Sequence, residues 1–324
     1  MSQSGSKVFS CIRLIKAGIA ACVLAGTVTV ANATEERTLV LNYSQTVQPF
    51  TDVVINGEAT SALLDTGATI PLIGDRFINI DPRADPDETE ARILGIGGQR
   101  FFPIARLPNL SAGSENWTDL RVAVNTENRY PIQKSVLPIS IFETRVVDFD
   151  FGNNRVHLYN GRPKRVRRAH QDSIPYQDIN DLIFVPIRIN GVRGQALIDT
   201  GAVISFLNPA FAEQSNARLD EDRTALLRGS DLTRNHASIY EFRRLAFAGN
   251  EITRITLPVL DTELFAELGF DDEPMMILGM DLLQHFRLQV DRERQRIHFV
   301  RAHNPRRPSY DRDVNSFANG VAVR

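Results

Sequence analysis

Cysteine is nearly missing from this chain of 324 residues: there are two, Cys11 and Cys22, both close to the amino terminus. They fall inside a leader, so the remaining chain needs no disulfide and cannot use a catalytic thiol. Tryptophan occurs once, as Trp117, and reads as a packing residue. The six histidines show no metal-ligand spacing, so no metal is expected. A glycine-rich stretch, Gly95-Ile96-Gly97-Gly98, lacks the Gly-Lys-Ser/Thr ending and the strand-to-helix context of a phosphate loop. No other cofactor motif is present, and none is expected to be needed. A basic excess is also lacking. The formal charge is −2 with the leader's Lys7, Arg13 and Lys16 included, so nothing points to nucleic acid as a partner.

The apolar stretch Ala17 to Val30 follows those basic residues and precedes Ala31-Asn32-Ala33, a small-x-small cleavage site. Residues 1–33 therefore read as a secretory signal peptide cut after Ala33. The stretch is short for a transmembrane helix, so no stable span is expected once it is removed. An uncleaved leader acting as a membrane anchor is the alternative. The expected location is periplasmic or secreted.

What the chain does contain is a repeat. Asp65-Thr66-Gly67-Ala68 recurs as Asp199-Thr200-Gly201-Ala202, 134 residues later. The flanks repeat in register: Ala62-Leu63-Leu64 with Ala196-Leu197-Ile198, and Ile55-Asn56-Gly57 with Ile189-Asn190-Gly191. A repeat at fixed period marks a repeated structural unit. Each copy reads as a buried strand ending in a tight turn, with glycine allowing another chain to approach closely. Two such units face to face would bring Asp65 and Asp199 together. Carboxylates a few ångström apart share a proton, so one partner can serve as base and the other as acid.

On these motifs the sequence resembles the retropepsin-like (retroviral-type) aspartic proteases, with two lobes fused in one chain. A second family signature is an apolar-apolar-Gly strand late in each lobe. Ile277-Leu278-Gly279-Met280-Asp281 matches it closely. The first copy, Val136-Leu137-Pro138-Ile139-Ser140, carries Pro138 for Gly279 and Ser140 for Asp281. The viral pattern has Arg after that glycine and an acidic partner after Asp-Thr-Gly-Ala. Here Met280, Thr69 and Val203 stand at those places, which fits the cellular and bacterial branch. The resemblance covers residues 38–300 and implies an all-β fold of two acid-protease lobes in a pseudo-twofold arrangement.

The expected organisation is an N-terminal lobe over 34–160, a basic linker over 161–176, a C-terminal lobe over 177–302 and a loose tail over 303–324. Gly95, Ile96, Gly97 and Gly98 fit the tip of a mobile β-hairpin, and the resemblance makes this the flap that closes over substrate. Gly229 lies at the repeat offset from Gly95, but its followers do not repeat the glycines, so one working flap is expected. Between flap and closing signature the offset rises to 141, which places a short insertion in the second lobe. Asp281 to Phe286 reads as a short helix with Asp281 as its N-cap.

The resemblance implies an endopeptidase that cuts extended polypeptide, with Asp65 and Asp199 catalytic. Thr66 and Thr200 would lock the two turns together, and Gly67 and Gly201 would orient the carboxylates. A two-lobed monomer is expected. Ala68 and Ala202 offer no hydroxyl to the ionised Asp, which predicts an optimum from mildly acidic toward neutral pH. The alternative is a non-catalytic peptide-binding or assembly module on the same fold.

Overall fold

The strands follow from the alternation in the sequence. Phe50–Ile55 buries every second side chain from Thr51 onward with Phe50 buried in addition, and Leu182–Ile189 buries every second one from Ile183 onward with Phe184 in addition. Each runs into an Asn-Gly turn, Asn56-Gly57 or Asn190-Gly191, with both residues at positive φ (48° and 87°; 50° and 92°). That conformation matches the twist of a two-residue hairpin and favours Asn-Gly.

A computed structural model describes residues 36–43, 47–78, 90–126, 135–167, 169–229, 234–301 and 321–323. The expected leader lies outside the described residues, as does most of the expected tail. The first half contains β1 (Arg37–Asn42), β2 (Phe50–Ile55), β3 (Glu58–Asp65), β4 (Leu72–Gly74), β5 (Glu90–Gly95), β6 (Gly98–Ala112), β7 (Glu115–Asn125), β8 (Ser135–Pro138), β9 (Val146–Asp150) and β10 (Arg155–Tyr159). The second contains β11 (Gln171–Pro175), β12 (Gln177–Ile179), β13 (Leu182–Ile189), β14 (Val192–Ile198), β15 (Phe206–Leu207), β16 (Arg218–Arg228), β17 (Arg234–Phe247), β18 (Asn250–Val259), β19 (Met275–Leu278), β20 (Phe286–Asp291), β21 (Arg296–Arg301) and β22 (Val321–Val323). Among the described residues, three short α-helices, α1 (Pro209–Gln214), α2 (Glu263–Glu267) and α3 (Met280–Leu283), belong to the second half. The fold is all-β.

The two halves repeat strand for strand. The first sheet contains the order β2-β3-β8-β4-β7-β6-β5, and the second repeats it as β13-β14-β19-β15-β18-β17-β16. The halves join through six antiparallel strands in the order β11-β21-β20-β9-β10-β1. At the seam, β9 pairs with β20, its own repeat, with Asp148 opposite Gln289. Asp148 is fully buried there. Arg287 holds it through two bonds of 2.7 Å and reaches Asp150 at 2.9 Å. A buried carboxylate requires such a partner.

Three local expectations change. Gln171–Pro175, within the expected linker, is strand β11 and pairs with β21 as the repeat of β1. Residues 321–323, within the expected loose tail, form β22 on the edge strand β16. Asp281 does not cap the short helix, because Gly279 occupies that place and Asp281 lies within the first turn. The Asp281 carboxylate instead accepts the Ser205 backbone N–H at 2.9 Å and the Ser205 hydroxyl at 2.5 Å.

Candidate active site

Both Asp-Thr-Gly turns emerge from the centres of their sheets. β3 pairs in parallel with β8, placing Asp65 beside Pro138, and β14 pairs in parallel with β19. Buried Leu64 and Ile198 precede the two Asp residues and anchor the strand ends. Beyond them the chains turn toward each other.

The turns interlock by reciprocal hydrogen bonds. The Thr66 hydroxyl donates to the Ile198 carbonyl at 2.6 Å, and the Thr200 hydroxyl donates to the Leu64 carbonyl at 2.7 Å. Each hydroxyl also accepts the other threonine's backbone N–H, both at 3.0 Å. Both side chains are buried, so every polar group in the lock has its partner inside the protein. Gly67 and Gly201 permit the approach. A methyl at Gly67 would lie 2.7 Å from Asp199 Cγ, and one at Gly201 would collide with the Asp65 carboxyl.

The two carboxyl groups lie close enough to interact, so their titrations are linked. Asp65 accepts the Gly67 N–H at 2.7 Å. Asp199 accepts from Gly201 at 2.8 Å and from Ala202 at 2.9 Å. Each side chain keeps a face open to the cavity and has protein around the rest. Burial is the main reason that Asp65 holds its proton well above the usual carboxylate range, and repulsion from Asp199 adds to it. Asp199 is also raised by burial, but its backbone N–H donors oppose the shift. The arrangement can hold one proton between two carboxylates at a pH where an isolated carboxyl would be ionised.

Residues 185–282 match the aspartyl protease family. The matched stretch runs from β13 to α3 and includes the second Asp-Thr-Gly turn and Ile277-Leu278-Gly279. A comparison with curated proteins gave no match. The first half lies outside the matched residues and carries the mirrored turn described above.

A cavity of about 310 Å³ lies over the pair, lined by Asp65, Asp199 and the β5–β6 hairpin. Gly95 pairs with Gly98, so Ile96 and Gly97 form the hairpin tip. This tip is bound to the second half. The Ile96 carbonyl accepts from the Thr262 hydroxyl at 2.9 Å and from the Asn235 amide at 3.2 Å. Glu267 on α2 accepts from Arg92 at 2.8 Å and from Gln99 at 2.7 Å. α2 lies in the insertion expected from the change of offset.

β16 and β17 form a long hairpin at the position equivalent to β5 and β6, and Leu227 and Gly229 line the same cavity. Residues 230–233, between β16 and β17 in the sequence, lie outside the described residues. The hairpin is specified by pairing along its arms, so the missing glycines did not prevent it.

Several contributors were not foreseen. The buried Gln48 donates through its amide to the Gly201 carbonyl. Its repeat position holds Leu182, so the duplication carried no signal for it. Thr262, Asn235 and Glu267 carry no motif either. They matter through contacts with residues more than 100 positions away.

Proposed function

We propose that the chain is an aspartic endopeptidase acting on extended polypeptide through Asp65 and Asp199. The observation that carries this reading is the reciprocal threonine lock, which holds two carboxyls side by side at the floor of a hairpin-covered cavity. In the resting state one proton is shared by Asp65 and Asp199, which titrate as a unit. The ionised member of the pair takes a proton from a water as that water attacks the scissile carbonyl, and the protonated member donates its proton to the carbonyl oxygen. Collapse of the tetrahedral intermediate returns that oxygen's proton to the pair and delivers one to the leaving nitrogen. The hairpin tip excludes bulk water during these transfers. On the reading of residues 1–33 as a leader, the enzyme works outside the cytosol as a two-lobed monomer.

The test is a diverse peptide mixture incubated with the purified protein between pH 4 and pH 8 and read by mass spectrometry. Cleavage by the parent protein, abolished in both Asp65→Asn and Asp199→Asn, is expected. Binding without cleavage by the parent would favour the peptide-binding module. Unchanged cleavage in either variant would remove that Asp from the mechanism.

A further inference from the structure

The cavity is lined by both halves at equivalent positions, and the two walls differ in bulk. Leu72 of the first wall corresponds to Phe206 of the second, and Val136 corresponds to Ile277. Thr69 corresponds to Val203. At each of these positions the second half carries the larger or the more apolar side chain.

The walls also differ in what already covers them. Ile277 is 1 % exposed and Leu227 is 2 % exposed, whereas their first-half equivalents Val136 and Ile93 are only half-buried. The second wall belongs to a large apolar cluster stiffened by aromatic pairs, Phe184 on Phe270 and Phe206 on Phe265. Ile96 from the hairpin tip packs into that cluster, as do Leu264 and Leu268 from the α2 segment. The first wall belongs to a smaller cluster, with Ile70, Ile93 and Val136 at its margin. Among the described residues, the first side of the cavity keeps uncovered apolar surface and the second side is largely filled.

We infer that the cleft selects side-chain size asymmetrically: a bulky apolar residue on the flank of the cut that faces the first wall, and a small residue on the flank that faces Phe206 and Ile277. This rests on the protease reading and adds the substrate class to it. An extended chain crossing between Asp65 and Asp199 places one residue against each wall. Burying a large apolar side chain against uncovered apolar surface is favourable, and forcing one into a filled wall requires displacement of packed groups. A difference of one or two methylenes in such a wall changes discrimination by about tenfold or more.

The test is the cleavage-site profile of the purified protein on the same peptide mixture. Leu, Phe and Met should dominate one flank, and Ala, Ser and Gly the other. Equal size preferences on both flanks would overturn the inference while leaving the protease reading intact. No cleavage by the parent would sink the protease reading itself. The double variant Phe206→Leu with Ile277→Val gives the second wall the residues of the first, and should enlarge the accepted size about tenfold in rate on the small flank alone. Should that variant fail to fold, Val136→Ile adds a methylene to the open wall and should lower turnover at the bulkiest residues on the other flank. An unmoved profile in a folded variant counts against the inference. Binding gives a readout without turnover: Asp65→Asn protein should bind bulky–small peptides at least about fivefold tighter than bulky–bulky ones. Equal affinities would contradict it.

Discussion

The two halves share one strand order but close their floors differently. In the second half, Gly279 lets the chain pass close to Ala202 and Ile204, and a methyl there would lie 2.8 Å from the Ile204 carbonyl carbon. The Ser205 hydroxyl links the Gly279 N–H to the Asp281 carboxylate. In the first half Pro71, Pro138 and Ser140 stand at the positions of Ser205, Gly279 and Asp281, so that clip cannot form. Support comes from across the seam instead. Arg292 donates to the Phe142 carbonyl at 2.6 Å and to the Ile139 carbonyl, around the turn that follows Pro138. The same architecture is thus held once by a local polar clip and once by a distant arginine. The aspartyl protease match falls on the half that keeps the local signature.

The halves should contribute equally at the carboxyl pair, where the largest effect is expected. Asp65→Asn and Asp199→Asn should each lower kcat by at least about a thousandfold, since groups acting as a unit fail together. A large inequality between them would break the comparison. Stability should move the other way with pH. Both carboxyls have their proton affinity raised by folding, so the stability they contribute is present in acid and lost as pH rises above the usual carboxylate range. The Asn variants should therefore gain in Tm over the parent as pH goes from 4 toward 7, which thermal melts will check.

The threonine lock comes next. Thr66→Val and Thr200→Val each strand buried backbone partners, at about 1–3 kcal/mol per orphaned group. Denaturant unfolding should give similar losses for the two. If only one variant is destabilised, the lock is less symmetric than its distances.

The floors should respond unequally. Gly279→Ala introduces overpacking against backbone and should destabilise by about 1–3 kcal/mol, whereas Pro138→Ala should change stability by less than about 1 kcal/mol. Comparable losses would mean that the glycine clip has no special part in the second half.

The smallest effect on stability is expected at the hairpin contact. Glu267→Ala removes the acceptor of Arg92 and Gln99, and a surface pair of this kind contributes at most about 1 kcal/mol. Amide exchange in residues 90–98 should nevertheless accelerate, and KM should change more than Tm. Unaltered exchange would show that Thr262 and Asn235 hold the tip by themselves.

Much of this was legible in the residues because it is local and duplicated. The Asp-Thr-Gly turns, the Asn-Gly hairpins and the alternating strands each encode their own backbone within a few positions, and the repeat offset aligned them. The second hairpin does not repeat Gly97 and Gly98, and only the pairing of its arms shows it. Strand β11 was hidden in a basic segment, since its partner β21 lies more than 100 residues away.

The sequence by itself determined that there would be two equivalent turns, each presenting one carboxyl at the end of a buried strand, because strand period and turn chemistry are local properties. Only the tertiary structure decided that those carboxyls meet, that Gln48 and Arg292 support the opposite half, and that α2 receives the hairpin tip. Those outcomes depend on which surfaces meet across the seam. A one-dimensional pattern does not carry that information, because the contact energy arises between residues that the pattern keeps far apart.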